Sequence, residues 1–336
     1  MRVSGWRRYG RLVIIALYAA VGAALAGPVG AADLAPSVKV GFARHAMVAA
    51  ANPLAVEAGV KVLKAGGSAI DAAVAVQAVL GLVEPQSSGL GGGAFMVYYD
   101  AKAHTVTAYD GREIAPAGVG PDLFLDANGR PLAFFTAVQS GRSTGVPGAI
   151  AMLSLAHRDH GKLAWGELFA EGERLGDQGF IVSPRLAGFV HSPVPQASSP
   201  DAVAYFGKPD GTRVVAGDWL RNPDYAESLR QVAAQGPSAL LSGKIAQDIV
   251  DRVHEGDLPG TLTLADMKAY APHKGPGLCR PYRVYVVCVP ADPSGGSALL
   301  EGLGLLERTD IATRGPTDPQ AWFEFAQASR LMYADR

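Results

Sequence analysis

The chain has 336 residues, 49% hydrophobic and 18% charged, a composition that supports a large buried core in one or two domains and excludes a disordered polypeptide. Its formal net charge is −1, but Arg2, Arg7, Arg8 and Arg11 all precede the first acid, Asp33; 30 Lys and Arg less these four leaves 26 against 31 Asp and Glu, about −5. That surface, with no further Lys/Arg cluster, excludes a nucleic-acid partner.

The first residues have the three parts of a secretory signal: a basic start, an uncharged 15-residue apolar run from Leu12 to Ala26, and small residues through Ala32. A signal peptide over residues 1–31 is expected, cut after Ala31, and with it a periplasmic or secreted protein. The run is shorter than the roughly 20 residues that span a bilayer, so no stable membrane span is expected. The surroundings of Arg7-Arg8 fit twin-arginine export poorly.

His45 to Ala51 reads as a short strand. Asn52 is an N-cap with Pro53 at the first helical position, and Ala55, Val56, Gly59, Val60 and Leu63 recur at helical spacing until Gly66-Gly67. Ser68 starts a second helix, apolar on all sides from Ala69 to Val83 and therefore buried in the middle of the fold. Pro85 ends it. The sequence Pro85-Gln-Ser-Ser-Gly-Leu-Gly-Gly-Gly93 follows, and its four glycines free the backbone for positive φ and close approach. It runs into a strand, Phe95 to Tyr99, and a second strand, Thr105 to Tyr109, delivers Arg112 at its end.

Asp126-Ala127-Asn128-Gly129 is a turn signal, and a third strand is expected at Phe134 to Val138. Helices are expected from Pro147 to Gly161 and from Trp165 to Gly176. The stretch His191 to Thr212 reads as a surface loop anchored by Tyr205-Phe206. Further helices are expected at Asn222 to Gln235, Ala239 to His254 and Thr263 to Tyr270. From Pro319 a helix places Trp322, Phe325, Ala326, Met332 and Tyr333 on one side and reaches Arg336 without a stop signal, so the natural chain is expected to continue.

Cys279 and Cys288 are the two cysteines. In an oxidising compartment they would bridge if they faced each other on a hairpin turning near Pro281-Tyr282. The register is not legible, and two free buried thiols are the expectation; the spacing does not make a zinc site.

Three other patterns are weaker. Gly141-Arg142-Ser143-Thr144-Gly145 matches GxSxG, but Val146-Pro147-Gly148 delays the helix that a nucleophile elbow needs at the serine itself, so Ser143 is read as a loop residue. The Gly89 to Gly93 loop follows a helix and precedes a strand, the reverse of a dinucleotide fingerprint. His157 and His160 lack a third ligand and are read as surface residues at a helix end. No metal and no cofactor are expected.

Taken together, several segments resemble the large-subunit part of a γ-glutamyltransferase (glutathione hydrolase), a family of N-terminal-nucleophile hydrolases. They are Met47 to Ala51, the run Gly66-Gly-Ser-Ala-Ile-Asp-Ala-Ala-Val-Ala75, the Pro85 to Gly93 loop, Gly111-Arg-Glu-Ile-Ala-Pro116, Gly145-Val-Pro-Gly148 and Tyr333-Ala-Asp-Arg336. The resemblance covers residues 37–336 and implies an α/β fold, the four-layer αββα sandwich, incomplete because the small-subunit part is absent.

It also implies a zymogen that cuts itself and pairs with its own small subunit. That subunit begins with a threonine whose hydroxyl attacks the γ-glutamyl carbonyl of glutathione-like substrates while its α-amine acts as base. By the resemblance this threonine lies beyond Arg336, so no catalytic residue is expected in this chain and the fragment alone is expected to be inactive. One site residue carries over: Arg112, gripping the substrate's α-carboxylate, a task suited to a planar guanidinium. From composition alone Arg112 would be a surface ion pair with Asp110 or Glu113. Where many relatives have Pro-Pro-Pro-Ser-Ser-Gly-Gly, this chain has Pro290-Ala-Asp-Pro-Ser-Gly-Gly296. Cephalosporin (glutaryl) acylases share Asp-Gly-Arg-Glu, and they and a non-catalytic binder of amino-acid carboxylates are the alternatives.

Overall fold

Buried polar groups close the first two helices and fix how they meet. The computed structural model describes residues 41–291 and 293–336; the expected signal peptide lies outside the described residues. The chain divides at Met47: of the first unit only 41–46 are described, without helix or strand, and everything below concerns Met47–Arg336. Among the described residues no helix is long and apolar enough to cross a membrane.

Helix α1 (Pro53–Lys64) starts as its sequence predicts, with the Asn52 side chain accepting from Leu54 N and proline in the first turn. Helix α2 (Ala69–Val83) opens on a capping box: Asp71 N donates to Ser68 Oγ at 3.1 Å and Ser68 N donates to Asp71 Oδ2 at 2.7 Å. The same buried carboxylate accepts from Lys162 N at 2.9 Å and Leu163 N at 3.3 Å, so the cap also holds a distant loop.

Helix α2 is apolar all round because it serves two cores. Ala75, Val79 and Leu82 pack with Leu175, Phe180, Leu186 and Phe206; Ile70, Val74 and Ala78 pack with Tyr109, Ile150, Met152, Phe169 and Leu229. Each such aliphatic side chain taken from water contributes roughly 1.5–3 kcal/mol. A third cluster joins Val146 to Val250, Leu262 and Met267.

Strands β1 (Ala94–Asp100) and β2 (Thr105–Gly111) pair antiparallel from Ala94↔Gly111 to Asp100↔Thr105. Among the strands described after them, β3 (Phe180–Ile181) pairs with β4 (Trp219–Leu220), β5 (His273–Pro276) extends the first sheet to the order β1-β2-β5, and β6 (Leu278–Tyr282) pairs with β7 (Tyr285–Val289). Alternation sends Met96, Tyr98 and Tyr109 toward α4 (Ala149–His160) and leaves Val97 and Tyr99 exposed on the other face. Of the αββα layering, these residues show one three-stranded sheet with helix α4 packed on one face.

Several expectations are corrected. The segment 45–51 forms no strand, since no ladder partner runs beside it among the described residues. Phe134–Gln139 is a helix (α3) rather than a strand, with both phenylalanines exposed instead of alternating between a core face and solvent. The expected surface loop carries the helix α7 (Pro200–Phe206), begun by Ser199 accepting from Ala202 N, and Phe206 is buried. The helix expected from 239 to 254 breaks at Ser242, where Gly243 takes a φ of +76°.

The cysteines are neither free nor buried. Cys279 and Cys288 sit opposite each other in the β6–β7 ladder with Cα atoms 4.1 Å apart, and they are bridged. The turn lies at Arg283-Val284 rather than Pro281-Tyr282, which sets that register. In the last helix (Pro319–Asp335), Ala321 and Ala328 face inward, while Trp322, Phe325 and Tyr333 of the predicted stripe are turned outward.

Glu84, at the C-terminus of α2, is 1% exposed and gathers three segments. It accepts from Asn52 Nδ2 at 2.9 Å, Gln86 Nε2 at 2.6 Å and Ser183 Oγ at 3.3 Å, and pairs with Arg185 of α6 (Pro184–Val190). Burial pushes its carboxyl up, but the hydrogen bonds from Asn52, Arg185 and Gln86 and the Arg185 charge outweigh it and hold the group below the ordinary carboxylate range. Glu84→Ala should cost about 2–4 kcal/mol in urea unfolding, somewhat less than a wholly buried pair because Arg185 is half-exposed. A group depressed in the folded state contributes in full above its unfolded pKa. Its stabilisation is lost as pH falls through the lower native value, and the wild-type minus variant difference should shrink in that direction.

Candidate functional site

The β1–β2 ladder closes on Ala94↔Gly111, so the two residues just past it, Gly93 and Arg112, leave the sheet side by side. The Glu113 carboxylate lies against Gly93, and a Cβ there would stand 2.5 Å from Glu113 Oε2. None of the four loop glycines takes positive φ, and Gly89 and Gly91 have open space where a Cβ would go. The freedom expected of this run is therefore needed for contact at Gly93 alone. Gly92 contributes through its carbonyl, which accepts from Gly148 N at 3.1 Å and Ala149 N at 3.0 Å. Because Gly148 has no capping side chain, this carbonyl satisfies first-turn donors of α4.

The backbone after Arg112 is clamped. Arg112 N donates to Asp110 Oδ1 at 2.8 Å, Tyr270 Oη donates to Arg112 O at 2.9 Å, and Val146 N donates to Ile114 O at 2.9 Å in an isolated bridge. Gly148 lies so close to the Tyr270 hydroxyl and Gly111 carbonyl that no side chain fits there. Burial, with the negative charges of Asp110 and Glu113, pushes the Tyr270 phenol up to about 12, so it remains a donor at neutral pH.

By contrast, the Arg112 side chain is 58% exposed, with Nε 3.2 Å from Glu113 Oε2. Among the described residues its two Nη atoms make no hydrogen bond, and its ion pair is with Glu113. The pair with Glu113 that composition alone suggests does exist, and its closest approach is at Nε. Arg112 and Glu113 line a pocket of about 570 Å³ together with Ile114, Arg142, Ser143 and Thr144.

Ser143 sits in a 3₁₀ turn (Gly141–Ser143), not a strand-to-helix elbow, and its hydroxyl lies 2.9 Å from Val138 O and 3.0 Å from Ser140 O. The hydroxyl donates to those carbonyls and not to a histidine. The histidines are not surface residues. His157, 16% exposed, has Nε2 3.0 Å from Leu163 O and 3.4 Å from Asp71 Oδ1, and His160 stacks on Tyr98 at 4.1 Å between ring centroids. Among the described residues no group of His, Cys, Asp and Glu is placed to hold a metal.

Tyr270 and the Gly92 carbonyl are the site components that the sequence reading missed. Tyr270 is 158 residues from Arg112 and carries no local motif; the Gly92 contribution comes from backbone, to which residue type is blind.

Comparison with known proteins gives the family of the chain. The gamma-glutamyltranspeptidase family model matches residues 55–336. The chain is 35% identical over 302 residues to the glutathione hydrolase proenzyme of Bacillus subtilis (strain 168), covering 89% of this chain and 50% of that protein. It is 34% identical over 297 residues to the Escherichia coli (strain K12) glutathione hydrolase proenzyme, covering 88% and 50%. The chain thus spans about half the length of the curated relatives it matches. The crystal structure of Helicobacter pylori gamma-glutamyltranspeptidase superposes with a TM-score of 0.81 at 28% identity, over 88% of this chain and 84% of that one. By motif order, fold and site backbone alike, the chain belongs to the gamma-glutamyltranspeptidase family.

Proposed function

We propose that this chain is the large-subunit portion of an exported γ-glutamyltransferase/glutathione hydrolase proenzyme, and that Arg112 holds the α-carboxylate of the γ-glutamyl donor. The observation that carries the reading is the Arg112 arrangement: a backbone fixed from both sides, an ion pair with Glu113 that is closest at Nε, and an exposed guanidinium whose Nη atoms make no hydrogen bond among the described residues. A fork so prepared meets a carboxylate with two parallel charge-assisted hydrogen bonds.

Gripping the far end of the donor leaves the γ-carbonyl presented for attack, which is a positioning contribution. The nucleophile is the threonine heading a second subunit, supplied by the proenzyme beyond Arg336. Its hydroxyl oxygen adds to the γ-carbonyl as its α-amine takes the proton. The amine of the donor leaves with a proton, and water or an acceptor amine then releases the γ-glutamyl group from the ester. The partner of this chain is accordingly its own small subunit, and its place is the periplasm or outside the cell.

In the full-length protein, Arg112→Ala should raise KM for γ-glutamyl donors by about 100-fold or more, the loss of a charged bidentate pair, while self-cleavage persists. Arg112→Lys should fall between, since a point charge replaces a fork. An unchanged KM in Arg112→Ala removes Arg112 from the site. Tyr270→Phe leaves the Arg112 carbonyl without its buried donor and should cost about 0.5–1.5 kcal/mol in thermal unfolding, with a severalfold rise in KM. Stability lost with KM unmoved would show that the phenol supports the fold and not the arginine.

A further inference from the structure

The pocket around Arg112 has a wall that carboxylate binding does not use. It comes from the segment 122–132, a small irregular hairpin. Leu125 bridges Pro131, Leu132 N donates to Phe124 O at 2.8 Å, and Asp126 N donates to Arg130 O at 2.7 Å. Asp126 closes the turn, its Oδ1 accepting from Asn128 N at 2.8 Å and Arg130 N at 2.9 Å.

The hairpin is therefore held together internally, and its tether to the pocket floor is a single side chain. Arg142 Nη1 donates to Leu123 O at 3.0 Å and to Leu125 O at 3.2 Å. Among the described residues these are the only hydrogen bonds from the hairpin to a distant segment. Arg142 springs from the Gly141–Ser143 turn, which is itself fixed by the Ser143 hydroxyl and by Thr144 N donating to Gly141 O at 3.2 Å.

Through this tether Leu123 and Phe124 line the same pocket as Arg112, with Ile114 and Val119 beside them in its lining. Phe124 is 42% exposed, so its ring is not occupied by the hydrophobic core. At about 570 Å³ the pocket falls within the roughly 300–1,000 Å³ of sites that enclose drug-sized molecules, more than one amino-acid group fills. A site with charged groups at one place and unoccupied apolar surface at another selects ligands with the same division.

We propose that this hairpin is a specificity wall: Leu123 and Phe124, positioned by Arg142, receive the apolar or aromatic part of the amine that leaves from a γ-glutamyl donor. The proposal rests on the reading of Arg112 given above. Phe124 and Leu123 would touch the substrate, whereas Arg142 acts through them as a positioning residue.

The test compares two donors in the full-length protein, γ-glutamyl-p-nitroanilide, which loses an aromatic amine, and glutamine, which loses ammonia. Phe124→Ala should lower kcat/KM about tenfold for the anilide and less than about twofold for glutamine, with the loss in KM. Phe124→Leu should restore most of the anilide activity. Arg142→Met should show the same selectivity, and the double variant should be no worse than the more impaired single variant, since both changes remove one contact. Equal losses for both donors, or no loss for either, would overturn the proposal. Arg112→Ala separates the two readings because it should weaken both donors alike. If it does so while Phe124→Ala leaves the donor ratio unchanged, the wall alone is wrong; if it spares both, the Arg112 reading fails.

Discussion

Glu84 is the constraint on which the arrangement around Arg112 depends. Its carboxylate is out of water and stays ionised because Asn52, Gln86, Ser183 and Arg185 all turn toward it. These groups belong to the start of α1, the loop after α2, and the start of α6. A buried charge without such partners would be expensive, so the segments are held where the charge requires them. Arg185 also reaches Ser87 Oγ at 2.8 Å, and Gln77 Nε2 donates to Ser88 Oγ at 3.0 Å and Gly89 O at 3.1 Å. The glycine loop is thus tied down at its beginning. Its far end is fixed by Gly92 O on the first turn of α4, which leaves Gly93 opposite Glu113. The path from a buried acid to an exposed arginine is continuous along one stretch of chain.

The site itself divides labour between backbone and side chain. Asp110, Tyr270 and the Ile114–Val146 bridge determine where the Arg112 main chain lies, while its guanidinium remains exposed. With the main chain already fixed, a ligand meeting this guanidinium would have only the side chain left to order. Glu113 comes closest to this guanidinium at Nε. The second arginine of the pocket does different work: Arg142 is committed to the carbonyls of Leu123 and Leu125 and shapes the wall.

Much of this was legible in the residues. Asn52-Pro53, Ser68 with Asp71, Thr263 with Asp266, and the all-apolar run from Ala69 to Val83 are local signals, and each helix begins where its cap stands. Arg112 could be singled out because a motif surrounds it. What escaped depended on pairing between distant segments. The Cys279–Cys288 bridge follows from a hairpin register set by a turn at Arg283-Val284, and Arg283 takes a φ of +55° that its residue type does not announce. Phe134–Gln139 has strand-like composition, but it is helical and joins none of the sheets among the described residues. His157 was read as a surface residue because nothing in its vicinity along the chain reveals that the Asp71 carboxylate and the Leu163 carbonyl meet it.

The β1–β2 ladder, whose seven pairs run from Ala94↔Gly111 to Asp100↔Thr105, works as a ruler between the glycine loop and the arginine. Side chains alternate along it, so sliding β1 by a single residue would trade Met96 and Tyr98 for Val97 and Tyr99 on the core side, and sliding β2 would turn over Tyr109 and the residues that lead into Arg112. Intermediate positions do not exist. The site can therefore drift in sequence by substitution, and the solvent-exposed tip at 101–104 can change its residues, yet the spacing between Gly93 and Arg112 is quantised by the pleat. For a descendant of this chain, a lengthened tip is survivable only if the ladder beneath it keeps the same partners.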